Sequence, residues 1–424
     1  MNLREYWDRF QKVEMLTGAL DYKVLGFQIW PLLRTKIFYQ IATQIGLFDN
    51  PHPKRESKSF YKETDSLPKA KEIVVPFSRK VMGTDPYSDW LSEYLENPLF
   101  VDHQGEGGLD SFKPSFAEKY EHHVARAMRR LVRKDAPARW REITSALEQE
   151  FGVKIQSYAE YPKWFIRRSI VEALGFRALF RKTGAKKLYI VNAYSHPTVV
   201  LGAKLARIRV YELQHGFISD LHPAYSYPSK IKIQSMPDVL LCWGDHWVNN
   251  FSHAKGLKAE VLGTYPEFWD ELRKDQPKQE IVVVTSQGAI GKKLFAIAEN
   301  FAKFLEPMEV IFRLHPNEDP DDYSTNLKNL QISHKQPKFL DLISTAEFLV
   351  GGFSTTLFEG AALGCKVIAV EVPGIENIQS SIDSGEFYLL KGRSQDEIFD
   401  AIDFAKTVVA DKYYAQLRPE ALNA

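Results

Sequence analysis

The sequence predicts an α/β protein built from two Rossmann-like, doubly wound domains that face each other across a cleft. Three observations lead there. Its 424 residues exceed what one hydrophobic core organises, so two domains of roughly 200 residues each are expected. Short apolar runs of strand length alternate with longer helical patterns, the rhythm of a parallel sheet wrapped by helices. That rhythm runs twice, broken at 266–278, where charge and two prolines replace the apolar period.

Residues 1–70 stand outside the rhythm as a helical extension. Trp30-Pro31-Leu32-Leu33-Arg34 opens an amphipathic helix that runs to Ile45, and the polar stretch 49–71, with three prolines, follows as a loop or linker. The first domain, 71–266, starts at Glu72-Ile73-Val74-Val75-Pro76-Phe77. It continues through candidate strands at 99–103, 187–192, 209–214, 239–243 and 260–262, with helical patterns at 115–134 and 138–149. The second domain, 279–408, starts at Glu280-Ile281-Val282-Val283-Val284-Thr285-Ser286. Strands at 309–314, 330–334, 347–351, 366–370 and 387–390 follow, separated by helices at 294–305, 339–345, 355–363 and 395–406. The tail, 409–424, reads as a C-terminal helix that packs back on the first domain.

Composition narrows the function. The chain is 44% hydrophobic and 26% charged, the balance of a folded soluble protein. Fifty-five basic against fifty-four acidic residues leave a net charge of +1, so a general polyanion-binding field is not expected, nor is nucleic acid the expected partner. Cys242 and Cys365 both lie in apolar, strand-like contexts. They read as buried thiols of a reducing cytosol, not as a disulfide framework or a thiolate metal site. The N-terminus has no apolar signal core, and no apolar run reaches the ~18 residues of a membrane span, so a cytoplasmic protein is expected. The segment 163–182 carries six basic residues and one acid, with Trp164, Phe165, Phe176 and Phe180 among them. Such a helix can lie peripherally on an inner-membrane surface, or be a domain helix with a solvated basic face.

The densest functional signal is Arg313-Leu314-His315-Pro316, followed by Gly351-Gly352-Phe353-Ser354-Thr355-Thr356 and Glu359. Both pieces sit where a strand stops, and ligands of open α/β sheets bind beyond the carboxyl ends of the strands. The second piece also opens a helix, whose free N–H groups and dipole favour an anion. His315 can donate to a phosphate oxygen. Ser354, Thr355 and Thr356 are N-capping residues by type, yet Gly351 and Gly352 before them would let a ligand approach the backbone closely. Glu359 suits a helix N-terminus electrostatically and could also accept ribose hydroxyls. Ser286, Gln287 and Gly288 end the first strand of this domain and belong to the same donor-side set, although Gly288-Ala289-Ile290-Gly291-Lys292-Lys293 lacks the spacing of a P-loop.

In the first domain, residues 211–225 hold two histidines, two acids and two tyrosines, more than a plain loop needs. His215, Asp220 or Glu212 could take a proton from an acceptor hydroxyl. Gln214, Gly216, His222 and Tyr225 share the segment, and Asn192, Tyr194 and His196 end the preceding strand, so all seven are acceptor-side candidates. A zinc site on His215 and His222 lacks a third ligand at sensible spacing. No metal ligands are assigned, and neither a Gly-x-Ser-x-Gly elbow nor an early Asp-x-Asp pair occurs.

Taken together, these residues resemble two-domain glycosyltransferases of the GT-B fold, the kind that builds bacterial capsule and lipopolysaccharide. Arg313-Leu314-His315-Pro316 resembles the His-Pro motif of bacterial sialyltransferases and Kdo transferases, and Ser354-Thr355-Thr356 resembles their Ser/Thr motif. Gln214-His215-Gly216 is similar to the histidine-glycine element of capsule glycosyltransferases and of teichoic-acid glycerophosphate transferases. The likeness is best over 187–375; the Asp/Glu-Asp/Glu-Gly motif of sialyltransferases has no clear counterpart. It implies metal-independent transfer of a sugar from a nucleotide-sugar cosubstrate, CMP-linked and of Kdo or sialic acid type, to a glycan or glycolipid hydroxyl, with no bound cofactor. It leaves two alternatives: a CDP-polyol phosphotransferase, or a non-catalytic glycan-binding protein of the same fold.

Overall fold

The computed structural model describes residues 1–48, 62–64, 68–76, 85–101, 112–114, 136–155, 162–227, 231–250, 254–274, 276–288, 290–316, 318–407 and 412–423. The helix expected at 115–134 and most of the 49–71 linker lie outside them.

Two parallel six-stranded sheets carry the fold. The first contains β1 (Glu72–Val75), β2 (Leu99–Phe100), β3 (Lys187–Val191), β4 (Arg209–Leu213), β5 (Val239–Cys242) and β6 (Lys258–Val261), in the order β6-β5-β4-β3-β1-β2. The second contains β7 (Gln279–Thr285), β8 (Glu309–Arg313), β9 (Leu330–Ser333), β10 (Ala346–Gly351), β11 (Lys366–Val370) and β12 (Tyr388–Leu390), in the order β9-β8-β7-β10-β11-β12. The strands are near-continuous Val, Ile and Leu because helices cover both faces. All four residues of β5 and the last four of β7 are buried. Strand order reverses between β1 and β3 in the first sheet and between β7 and β10 in the second. These are the crevices where open sheets bind ligands.

The N-terminal extension is two helices, Leu3–Thr17 and Arg34–Gln44, joined through a tight hairpin and a short 3-10 turn at Trp30–Leu32. Asn2 and Glu5 cap the first helix reciprocally. Pro31 confines the expected helical start to the 3-10 turn, and the α-helix begins at Arg34.

Two expectations are revised. The break at 266–278 holds a helix, Pro266–Leu272, whose Phe268 is buried against Tyr414 with ring centroids 4.6 Å apart. Among its described residues, 412–423, the tail holds no α-helix, and Pro419–Asn423 forms a 3-10 turn. The stretch 414–418 runs along the first sheet, with Ala415 N–H donating to Trp243 O, Thr264 N–H to Ala415 O and Arg418 N–H to Leu262 O. The helix Pro162–Thr183 packs much of its apolar side inside the protein. Ile166, Ile170, Phe176 and Phe180 are buried, and a Cβ on Gly202 of the helix Pro197–Leu205 would lie 2.4 Å from the Phe176 Cβ. No helix among the described residues is long and apolar enough to cross a membrane.

Candidate functional site

The first-domain half of the site grows from β4 and the turn after β3. Asn192 takes the left-handed conformation (φ 60°, ψ 56°), which turns the chain sharply into Ala193–Ser195. That turn brings the Ala193 N–H to Glu212 Oε1 at 2.8 Å, where the Tyr225 hydroxyl also donates at 2.7 Å. Glu212 is buried, and burial pushes its pKa up to about 7 against the lowering effect of those two hydrogen bonds. The carboxylate therefore fastens the turn and the loop 214–227 together.

Gln214 staples the same loop to the end of β5. Its amide donates to Gly216 O at 2.9 Å and accepts from Trp243 N–H at 2.9 Å. The loop then folds its rings together: Tyr194 lies 5.8 Å from His215, 5.4 Å from His222 and 5.8 Å from Tyr225, centroid to centroid. The Tyr194 hydroxyl is 3.4 Å from His215 Nε2. His222 Nδ1 accepts from Ala224 N–H, which assigns its proton to Nε2. Burial, then the nearby His215 and Arg34, push its pKa down to about 3, so it stays neutral. His196 is buried at the start of the helix Pro197–Leu205.

Asp220 is set apart from this group. Its carboxylate is exposed and pairs with Arg4 at 2.9 Å. Of the three acid-base candidates, Glu212 is engaged inside the fold, Asp220 is engaged at the surface, and His215 stands in the aromatic cluster.

The loop is held from below by residues that sequence reasoning missed. Arg34 and Glu14 form a fully buried ion pair at 2.7 Å. Arg34 also donates to Ser226 O at 2.8 Å and to Pro223 O, and its guanidinium lies 4.4 Å from the Tyr227 ring centroid. Pro223 and Ser226 lie 189 and 192 residues from Arg34 in sequence, so no local pattern signals these contacts.

The second-domain half sits beyond β7, β8 and β10, adjacent strands paired as Thr285 with Arg313 and Val284 with Val350. Glu318, also missed, organises it. One oxygen accepts from the Ser286 hydroxyl (2.9 Å) and the Tyr323 hydroxyl (2.5 Å), the other from His315 N–H (2.8 Å). The only local hint was an acid three residues after His315. Arg313 turns away from the crevice and donates to Ser333 Oγ and Pro337 O. His315 is half-buried and Pro316 exposed in the turn that follows.

The glycine pair serves protein packing. A Cβ at Gly351 would meet Thr285 Oγ1 at 2.7 Å, and one at Gly352 would meet Ile290 Cδ1 at 2.7 Å and Gln287 Oε1 at 2.9 Å. That close approach lets Gln287 accept from Phe353 N–H. Gly288, by contrast, has open space where a side chain would stand. Ser354 caps the helix Thr355–Ala362, its hydroxyl accepting from Thr356 N–H at 3.3 Å. Thr356 Oγ1 lies 3.4 Å from Thr285 Oγ1. Glu359 is half-buried one turn in, and burial pushes its pKa up to about 7.

The two halves meet at the residues both motifs predicted. Phe217 N–H, from the His215-Gly216-Phe217 turn, donates to Thr355 Oγ1 at 3.1 Å. The Phe217 and Phe353 rings meet edge to face at 6.4 Å. Ser219 Oγ donates to Asn377 Oδ1 at 2.7 Å beside them. Tyr87, from a stretch without apolar period, joins the same place, its ring edge-on to His215 at 6.5 Å and its hydroxyl within the field of Glu359. Among the described residues no group of three His, Cys, Asp or Glu side chains is placed to hold a metal ion.

No protein-family model matches the chain, and no curated protein sequence does. Solved structures do. The spinosyn rhamnosyltransferase SpnG complexed with thymidine diphosphate is similar at 13% identity and a TM-score of 0.50, over 84% of this chain and 99% of that one. The calicheamicin glycosyltransferase CalG4 matches at 12% identity and a TM-score of 0.48, over 81% and 92%. The UDP-GlcNAc 2-epimerase of Methanocaldococcus jannaschii, in complex with UDP-GlcNAc and UDP, matches at 11% identity and a TM-score of 0.46, over 81% and 95%. The fold of this chain is GT-B: two parallel six-stranded α/β domains facing each other.

Proposed function

We propose that the protein is a glycosyltransferase that moves a sugar from a nucleotide-activated donor to a hydroxyl of a glycan or glycolipid, in bacterial surface polysaccharide synthesis. The observation that carries this reading is the hydrogen bond from Phe217 N–H to Thr355 Oγ1, which seats the histidine-glycine turn of one domain on the capped helix start of the other. A donor phosphate at that helix start would meet the positive end of its dipole. His315 and Ser354 stand at the same sheet edge to stabilise the charge that develops on it.

In the step itself, the acceptor oxygen bonds to the anomeric carbon as the anomeric carbon–phosphate oxygen bond breaks. The acceptor proton passes to His215, and the nucleotide leaves with the bonding pair. Glu359 accepts from the donor ribose. The donor proposed is CMP-linked, of Kdo or sialic acid type, on the resemblance of the Arg313–Pro316 and Ser354–Thr356 segments. The solved relative that holds thymidine diphosphate supports the fold, and through it only the general idea of a nucleotide donor.

A thermal-shift panel of CMP, CDP, UDP, GDP and thymidine diphosphate tests the reading, since a ligand of the native state raises the melting point. CMP is expected to give the largest rise, and His315→Ala to abolish it together with turnover. A rise with CDP alone would replace sugar transfer by polyol-phosphate transfer. No rise with any nucleotide at millimolar concentration would overturn the enzyme reading.

A further inference from the structure

A net charge of +1 conceals an uneven distribution. Residues 1–265 hold thirty-nine basic and twenty-nine acidic side chains, whereas 266–424 hold sixteen and twenty-five. The first half is a cation and the second an anion, and a field of one sign over one half selects a partner of the other sign.

In the first half the surplus gathers at the amino edge of the sheet and on the helix beside it. Lys186 N–H donates to Lys71 O at 2.7 Å and Arg209 N–H to Lys186 O at 3.0 Å, which sets the starts of β1, β3 and β4 side by side. Lys69 Nζ reaches Lys182 O at 2.7 Å and joins the end of the helix Pro162–Thr183 to them. Acids are present but engaged: Glu96 with Lys71 at 2.9 Å, Glu72 with Lys187 at 3.8 Å and Asp238 with Lys204 at 2.7 Å. Lys69, Arg181, Lys182, Lys186, Arg207 and Arg209 are exposed, and among the described residues none of the six forms an ion pair.

The helix extends this charge toward the cleft. It ends just before β3 begins at the amino edge, so it runs antiparallel to that strand. At 1.5 Å per residue it spans ~33 Å, about twice a five-residue strand, so it is long enough to reach the level of the acceptor loop. Its exposed residues, among the side chains described, are Arg168, Ala178, Arg181 and Lys182. These are three cations and no large apolar group, so the face attracts by charge and does not insert.

We propose that this face docks on an anionic lipid bilayer and holds the acceptor loop near lipid-carried glycan. Dispersed cations engage many anionic headgroups at once, and each adds to the affinity. The choice of a bilayer over another polyanion rests on the glycosyl-transfer reading, in which a glycolipid carries the acceptor hydroxyl. The excess of cations stands without it.

The full-length protein is sedimented with vesicles of phosphatidylcholine alone, and with vesicles holding an equal part of phosphatidylglycerol. Binding is expected only to the second, and is expected to fall as added salt shortens the screening length. The double variant Arg181→Gln with Lys182→Gln should weaken it about ten- to thirtyfold. Lys391→Gln with Arg393→Gln removes two exposed cations of the second half and should bind as the parent does. Both double variants should keep the parental CMP thermal shift. Equal binding to neutral vesicles, or equal losses in the two double variants, would overturn the docking face. Displacement from the vesicles by duplex DNA at equal phosphate concentration would give the face to nucleic acid and overturn it as well. A protein that responds to CMP and binds no vesicle would lose the docking face and keep the transfer reading. Vesicle binding with the expected losses, in a protein that no nucleotide stabilises, would keep the face and remove the transfer reading.

Discussion

Glu212 is an acid placed where charge is costly, and this sets a pH dependence. Its pKa rises from 4.5 toward about 7 in the folded protein through burial, so between those values the folded state holds the proton more tightly than the unfolded chain does. Stability then falls as pH rises through that window and stays lower above it, by an order of 3 kcal/mol at most. Glu359 acts in the same direction. Glu212→Gln keeps an oxygen for Ala193 N–H and Tyr225 and removes the charge. The variant should match the parent at pH 5 and exceed it by roughly 1–3 kcal/mol at pH 8 in urea unfolding. Equal pH sensitivity in both proteins would mean that Glu212 stays ionised. His215, His315 and the Ser354–Thr356 segment were legible as single residues because each ends a strand or starts a helix. Roles such as those of Glu318 and Arg313 were not, because a strand-end position does not say whether a side chain turns into the crevice or back into the protein.

Elements carry the next level of control. The strands were legible almost to the residue, because a sheet buried on both faces writes itself as unbroken apolar runs. The glycine pair was legible as a requirement, but its cause lies in the close approach of Gln287 and Ile290, a tertiary contact without a local signature. The docking of the N-terminal helices was hidden for the same reason. Arg34 ties them to the acceptor loop, and Glu14 neutralises it where both are fully buried. Removing one partner strands the other charge in the core. Arg34→Met and Glu14→Leu should each cost about 3–5 kcal/mol, and the double variant should cost much less than their sum. Chemical denaturation of the four proteins gives the cycle. Additive losses would show that the pair is not coupled. At the facing element, Thr355→Val removes the acceptor of Phe217 N–H. It should lower turnover while leaving the helix cap at Ser354, and hence the CMP shift, largely in place.

At the scale of the whole molecule, the chain crosses between its halves more often than two domains require. The N-terminal helix reaches the second half, where Leu3 N–H donates to the Glu376 carboxylate at 2.9 Å. The tail leaves the second half and lies along the first, bringing Tyr413 within 4.9 Å of Phe358 and Tyr414 onto Trp243. Such crossings were not legible, since a tail that packs by backbone hydrogen bonds needs no apolar period. They bear on division of labour. The phosphate-side residues Ser286, His315 and Ser354 hang on the second sheet, and a fragment spanning 276–407 retains the Glu318 bonds to Ser286 and His315. The fragment exposes Phe353 and Phe358, which the intact protein covers with Phe217 and Trp247, so it should melt lower than the full chain. It should still gain thermal stability with CMP, and it should transfer no sugar, because His215 and the loop 214–227 are absent. Transfer by the fragment would place the acid-base group in the second half and remove His215 from the reaction. Loss of the CMP response in a fragment that still folds would show that the first half also holds the nucleotide.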